Sequence, residues 1–170
     1  MWIVLSPLTL EARRAFTAAL VADYVDFLLG RSERADPVAA LERAQAEIEA
    51  EVEVAVQAGD QFWAAYNVEG ATVGWLWVKY ALEGLPASAA FLYQILVQAE
   101  VRRQGYGAAM LAAVESVLTT SGWRELRLNV WDTNAAARRL YQRAGYTLVE
   151  QFPLKRQLHK RLSPTKRDEA

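Results

Sequence analysis

The chain alternates between two hydrophobic periods, and each change of period marks an element. Phe16, Leu20, Tyr24, Phe27 and Leu28 recur every three or four positions. That spacing predicts a helix capped by Thr9 and stopped by Gly30. A second stripe, Leu41, Ala44, Ile48 and Val52, follows the cap-and-proline pair Asp36-Pro37 and ends at Gly59-Asp60. Its opposite face carries Glu42, Glu47, Glu49, Glu51 and Glu53 and reads as solvated. Trp2 to Leu5 is a short strand ahead of both helices. Aromatic-rich runs at 61–67 and 72–80 flank Glu69-Gly70 and predict a hairpin. After a loop over 83–88 comes an apolar strand, 90–97, then a glycine-containing turn. A helix over 107–120 shows Met110, Leu111, Val114, Val117 and Leu118 on one face, and Ser121-Gly122 stops it. Residues 126–131 alternate as a strand, and Asp132-Thr133-Asn134 caps a helix that ends at Ala144-Gly145. Two strands, 146–151 and 154–162, close the chain around Pro153, and Ser163 to Ala170 reads as a frayed tail.

This order is that of an α/β chain. The unit from 90 to 131 is a strand–helix–strand crossover, which predicts a parallel pair with a right-handed connection. No repeat, low-complexity stretch or linker divides the 170 residues, so one domain is expected. Its parts are an N-terminal strand and two helices (1–60), central strands and turn (61–107), a helix–strand–helix with closing strands (108–162) and the tail (163–170).

Composition narrows the chemistry. Hydrophobic residues at 53% and charged residues at 23% exclude a disordered chain. A net charge of -1 argues against nucleic acid as a partner. There is no cysteine and a single histidine, His159, which excludes thiolate chemistry, disulfides and a histidine-rich metal site; no metal is expected. The stretch Met1 to Pro7 lacks the charged start and apolar core of a signal peptide, and no apolar run nears the ~20 residues of a membrane span. A cytoplasmic protein with no membrane partner is the expectation.

Two constellations carry chemistry. In Arg102-Arg103-Gln104-Gly105-Tyr106-Gly107, a strand runs into a polar turn, two arginines and a glycine pair that opens a helix. Free N–H groups and the positive end of the helix dipole make such a turn an anion site. It is not a dinucleotide fingerprint, because Met110 stands at the third glycine position, and the absence of Gly-Lys-Ser or Gly-Lys-Thr excludes a P-loop. The second constellation runs from Asn129 to Tyr146. Asn134 and Tyr141 lie seven apart and share one helical face, with Ala137 and Arg138 between them. Small alanines on that face let a ligand lie close. On spacing alone, Asn134 reads first as an N-cap and Tyr141 as a half-buried core tyrosine.

Together the two segments resemble the GNAT superfamily of acetyl-CoA-dependent N-acetyltransferases. Arg102 to Gly107 is similar to the family's Arg/Gln-x-x-Gly-x-Gly/Ala loop, and Asn134 to Tyr146 to its Asn-x-x-Ala-x-x-Leu-Tyr-x-x-x-Gly-Tyr/Phe helix. The resemblance implies a mixed, mostly antiparallel sheet of six to seven strands with a parallel, splayed central pair, flanked by about four helices. It implies acetyl-CoA as cosubstrate, with the pyrophosphate on the N–H groups of Arg103 to Ala108. Arg102, Gln104, Gly105, Tyr106 and Gly107 complete that loop. The pantetheine arm would run along Ile95, Leu96 and Val97, Asn134 would hydrogen-bond it, and Ala137 would make room for it. A backbone N–H near Leu96 or Val97 would polarise the thioester carbonyl. A primary amine of a small molecule, peptide or protein would attack directly, without an acyl-enzyme, and Tyr141 would protonate the thiolate from a phenol near ~10.

The base and the acceptor stay open at this level. Phe91 to Val97 contains no acid; Glu100, Asp132, Glu83 and a water chain polarised by Tyr93 or Gln94 are the candidates. Trp63, Tyr66, Trp75, Trp77, Tyr80 and Tyr93 read mainly as core, with one or two free to line an acceptor cleft through cation–π contact. The acidic face Glu42 to Glu53 guides a cationic acceptor on a sharper reading. Lys155, Arg156, Lys160 and Arg161 either meet the cofactor's ribose phosphate or blunt an edge strand. Two other activities share the motifs: a non-catalytic acyl-CoA-binding domain and a toxin that acetylates aminoacyl-tRNA. A homodimer through the closing strands is a further expectation.

Overall fold

The computed structural model describes residues 2–30, 36–80 and 82–163, so most of the expected frayed tail lies outside the described residues. The elements are β1 (Val4–Pro7), α1 (Leu10–Leu29), α2 (Pro37–Gln57), β2 (Gln61–Tyr66), β3 (Thr72–Lys79), β4 (Ala89–Val97), α3 (Tyr106–Thr120), β5 (Glu125–Trp131), α4 (Ala135–Arg143), β6 (Thr147–Gln151) and β7 (Lys155–Arg161). A short 3₁₀ turn, Ala99–Val101, that the periodicity does not announce links β4 to α3. Local chemistry sets the helix starts: Thr9 Oγ1 accepts from Ala12 N–H at 3.1 Å and Asp36 Oδ1 from Val38 N–H at 3.0 Å.

The seven strands lie in the order β1-β2-β3-β4-β5-β7-β6. All neighbours are antiparallel except β4 and β5, as the crossover requires. The last strand inserts between β5 and β6, so its basic residues do not blunt an edge; the edges are β1 and β6. Arg156 pairs instead with Asp132 at 2.7 Å and Lys160 with Glu115 at 2.6 Å. Among the described residues no helix is long and apolar enough to cross a membrane.

Strand alternation distributes side chains to two cores. Trp63, Ala65, Leu76, Val78, Ala90 and Leu92 meet Met110, Val114 and Leu118 of α3 on one face. Phe62, Ala64, Trp75 and Trp77 meet Phe16, Leu20 and Val52 of α1 and α2 on the other. In β4 the alternation breaks. Trp77 pairs with Gln94 but Val78 with Leu92, leaving Tyr93 as one extra residue. A one-residue bulge inverts every side chain beyond it. Ala90 and Leu92 therefore face α3, while Leu96 joins the core under α1 and α2, and Ile95 and Val97 turn to the α3 side. Gly74 lets this segment lie close: a Cβ there would stand 2.3 Å from the Leu96 carbonyl and 2.8 Å from Met110 Cε.

Candidate active site

β4 and β5 pair only from Ala89 to Leu92 against Glu125 to Leu128. Beyond that point β4 remains with β3, while β5 follows β7. The parting begins at the Tyr93 bulge. A cleft of about 1040 Å³ opens there, floored by residues 91–97 and 129–131 and walled by α1, α2, α4 and the loop before α3.

The loop is shaped by two left-handed residues, Arg103 at φ 62° and Gly105 at φ 90°. The first is unusual for a residue with a side chain; the second is a conformation glycine adopts without steric cost. Gly105 caps α3 with no side-chain hydrogen bond. The N–H groups of Arg103 to Gly107 have no acceptor among the described residues, whereas Ala108 N–H bonds the Gly105 carbonyl at 3.1 Å. Donors left open at a helix N-terminus point at an anion. Arg102 turns away from them: Nε donates to the Val97 carbonyl at 3.0 Å, and Nη2 lies 3.6 Å from Asp23. It fastens the loop to β4 and α1. Arg103, Gly105, Gly107 and Ala108 line the cleft with Ile95, Leu96 and Val97. Gln104 instead donates to the Glu100 carbonyl at 3.4 Å, and Tyr106 packs into the α3-side core. At Gly107 a Cβ would stand 3.4 Å from Leu140, so this turn of α3 nestles against α4.

Beside the loop, Asn134 is the N-cap of α4, its Oδ1 accepting from Ala137 N–H at 3.0 Å. Its amide NH₂ keeps its donors for the cleft that Asn134 and Ala137 line. Tyr141 is 5% exposed, and its hydroxyl has no hydrogen-bond partner among the described residues although it borders the cleft. Burial pushes its phenol up to about 12. The match to a thiol expected of an ordinary phenol near ~10 is thus lost, because an apolar site penalises phenolate.

Acidic groups sit elsewhere than the sequence candidates. Glu83 and Glu100 are exposed outside the cleft, and Asp132 is held by Arg156 and Gln151. The carboxylates lining the cleft are Asp23, Glu47 and Glu51, all on the two N-terminal helices. Tyr93 Oη donates to Glu51, and Tyr24 Oη to Glu47 at 2.7 Å. Burial raises Asp23 above the usual carboxylate range, opposed by Arg102 and reinforced by Asp26. Burial, then the Glu51 bond, keeps Tyr93 protonated. Glu47 and Glu51 follow Ala44 by three and seven positions, the spacing of its own helical face. That spacing, not the acidic run as a whole, is the signal that separates them from Glu42, Glu49 and Glu53. Of the six aromatic candidates, Trp77 and Tyr93 line the cleft; Trp63 and Trp75 are buried core.

Comparison with known proteins is consistent with this architecture. A sequence model of the acetyltransferase (GNAT) family matches residues 24–146. The uncharacterized N-acetyltransferase YycN of Bacillus subtilis is 34% identical over 84 residues, which are 49% of this chain and 53% of that protein. The chain thus matches about half the length of that relative, yet its crystal structure superposes with a TM-score of 0.70 at 24% identity, covering 88% of this chain and 95% of that one. The PaiA N-acetyltransferase of Thermoplasma acidophilum, solved with coenzyme A, gives a TM-score of 0.71 at 16% identity over 95% of this chain and 99% of its own. The phosphinothricin acetyltransferase of Sinorhizobium meliloti, solved with acetyl-CoA, gives 0.68 at 15% identity, covering 95% and 89%.

Proposed function

Because the chain belongs to the acetyltransferase (GNAT) family, we propose that it moves an acetyl group from acetyl-CoA directly to a primary amine. The observation that carries this reading is the Tyr141 hydroxyl, 95% hidden with its residue yet unpartnered at the wall of a cleft whose other end offers open N–H donors. The ring is buried while the hydroxyl stays open to the cleft without a partner, so its proton is free for a ligand.

The residues present fit acetyl-CoA. The donors of Arg103 to Gly107 suit its diphosphate, and Arg103, Arg139, Arg143 and Lys155 add positive charge along the same wall. Residues 93–97 of β4 have no strand neighbour on the β5 side and can take the amide-rich arm as an added strand, with the Asn134 amide donating from across the gap. Bound acetyl-CoA supplies the acetyl group and a thiolate leaving group. The acceptor first loses its ammonium proton to solvent; the neutral nitrogen then forms the bond to the carbonyl carbon, the carbon–sulfur bond breaks with its electron pair on sulfur, and the second nitrogen proton leaves to solvent. Tyr141, protonated throughout the neutral range, donates a hydrogen bond to the sulfur as negative charge gathers on it. A main-chain N–H at Leu96 or Val97 serves the carbonyl oxygen. No cysteine is present to form an acyl-enzyme, which agrees with attack in one transfer.

The test is thiol release from acetyl-CoA against a panel of amines, for wild type and Tyr141→Phe. The substitution should lower kcat by about 10²- to 10⁴-fold with little change in the KM for acetyl-CoA. An unchanged kcat, or no amine-dependent release from wild type, would remove the reading.

A further inference from the structure

The charges of the cleft are segregated. Among the described residues, the three lining carboxylates, Asp23, Glu47 and Glu51, come from α1 and α2, whereas the lining cations come from the loop before α3, from α4 and from β7. The cationic side answers to the diphosphate of the cosubstrate, and the role of the acidic side rests on that proposed function. With the diphosphate on the opposite wall, the acidic side is left to the acceptor. Two of its carboxylates already have counter-ions: Arg102 lies 3.6 Å from Asp23, and Arg43 pairs with Glu47 at 2.7 Å. Glu51 has no cationic partner among the described residues; its one hydrogen bond comes from Tyr93. A carboxylate with one lone pair used keeps room for further donors.

The place of Glu51 is as telling as its charge. Tyr93 is the bulged residue at which β4 and β5 part, so the carboxylate it holds stands over the mouth of the gap. Lys79, the nearest cation to the Tyr93 ring at 4.2 Å, is paired with Asp60. Beside this seat runs an aromatic lane: Tyr24 and Phe27 stack at 5.8 Å, and Phe27 meets Trp131, 45% exposed, at 5.8 Å. Inside the gap the unpartnered, nine-tenths buried Tyr141 marks where the reacting atoms meet.

We propose that Glu51, positioned by Tyr93, seats the ammonium of the acceptor, and that the acceptor is an alkyl- or arylalkylamine with no carboxylate beside its reacting nitrogen. The ammonium meets an unpaired carboxylate, and the apolar stem lies along Tyr24, Phe27 and Trp131. An α-amino acid would bring its own carboxylate against Glu51, with Glu47 near at hand. Like charges in a partly enclosed cleft discriminate strongly.

Phenethylamine and phenylalanine differ by that one carboxylate and are the probes. Wild type should acetylate phenethylamine with a kcat/KM about a hundredfold above that for phenylalanine. Glu51→Gln should raise the KM for phenethylamine about tenfold and shrink the ratio, because a charged partner is lost while repulsion of phenylalanine is relieved. Tyr93→Phe should move the ratio the same way by less, and both variants should keep a wild-type melting profile. Calorimetric titration of phenethylamine into the protein saturated with CoA reads the same seat without turnover. A ratio near one, or a ratio that Glu51→Gln leaves unchanged, overturns the proposal, as does acetyl-CoA binding with neither amine accepted. Failure of acetyl-CoA itself to bind would be a different result: it removes the enzyme reading, and this proposal with it.

Discussion

Several side chains of the cleft serve the fold and the site at once. Asn134 starts α4 with its oxygen and leaves its amide donors open; Arg102 spends its guanidinium on the Val97 carbonyl and Asp23 and leaves the loop's main-chain donors open. Tyr141 is different, since its hydroxyl does nothing for the fold. Burial holds its phenol at about 12, so the neutral donor persists well above the range in which an amine near ~10 loses its proton. The measured kcat/KM should therefore rise with pH as the acceptor deprotonates, then level, with no descending limb below pH ~11. A falling limb at pH ~9–10 in wild type, absent from Tyr141→Phe, would place an ordinary phenol at the site and contradict the burial argument.

At the scale of elements, the decisive features are the bulge in β4 and the glycine opposite it. The bulge re-aims Leu96 and frees the strand from β5; Gly74 lets β3 approach the carbonyl of Leu96. Gly74→Ala would put a methyl group 2.3 Å from that oxygen. Relief requires β3, β4 or Met110 to shift, at a cost of about 3 kcal/mol, or roughly 6–12 °C in Tm. Because β4 also floors the cleft, acetyl-CoA affinity should fall with stability. Thermal melts and titrations on the same variant check both, and an unperturbed Tm would show that the strands have slack. The elements themselves were legible in the sequence because their signals are local: Thr9 and Asp36 as caps, the glycine turn at 105, the parallel crossover from 90 to 131. The bulge was not, since Tyr93 looks like any other position in an apolar run, and its extra place emerges only from pairing with Trp77 and Val78.

For the whole molecule, the sheet divides two cores, and its central pair opens between them into one cleft with cations on one wall and carboxylates on the other. The wall proposed for the cofactor is readable from the sequence, because Arg102 to Gly107 and Asn134 to Tyr146 are contiguous motifs. The wall proposed for the acceptor is not: Glu51 and Tyr93 are 42 residues apart, and only the packing of α2 over β4 joins them. Strand order was hidden for the same reason; nothing in the period of residues 147–161 says that β7 lies inside β6. Every role proposed for the cleft depends on the turn at Gly105 receiving the diphosphate of acetyl-CoA. Calorimetric titration of acetyl-CoA into wild type and into Gly105→Glu probes that contact, since the variant sets a carboxylate among the open donors at a φ of 90°. Wild type should bind in the micromolar range and the variant at least about a hundredfold more weakly, with the rest of the fold intact by circular dichroism. Equal binding by both would contradict the diphosphate site.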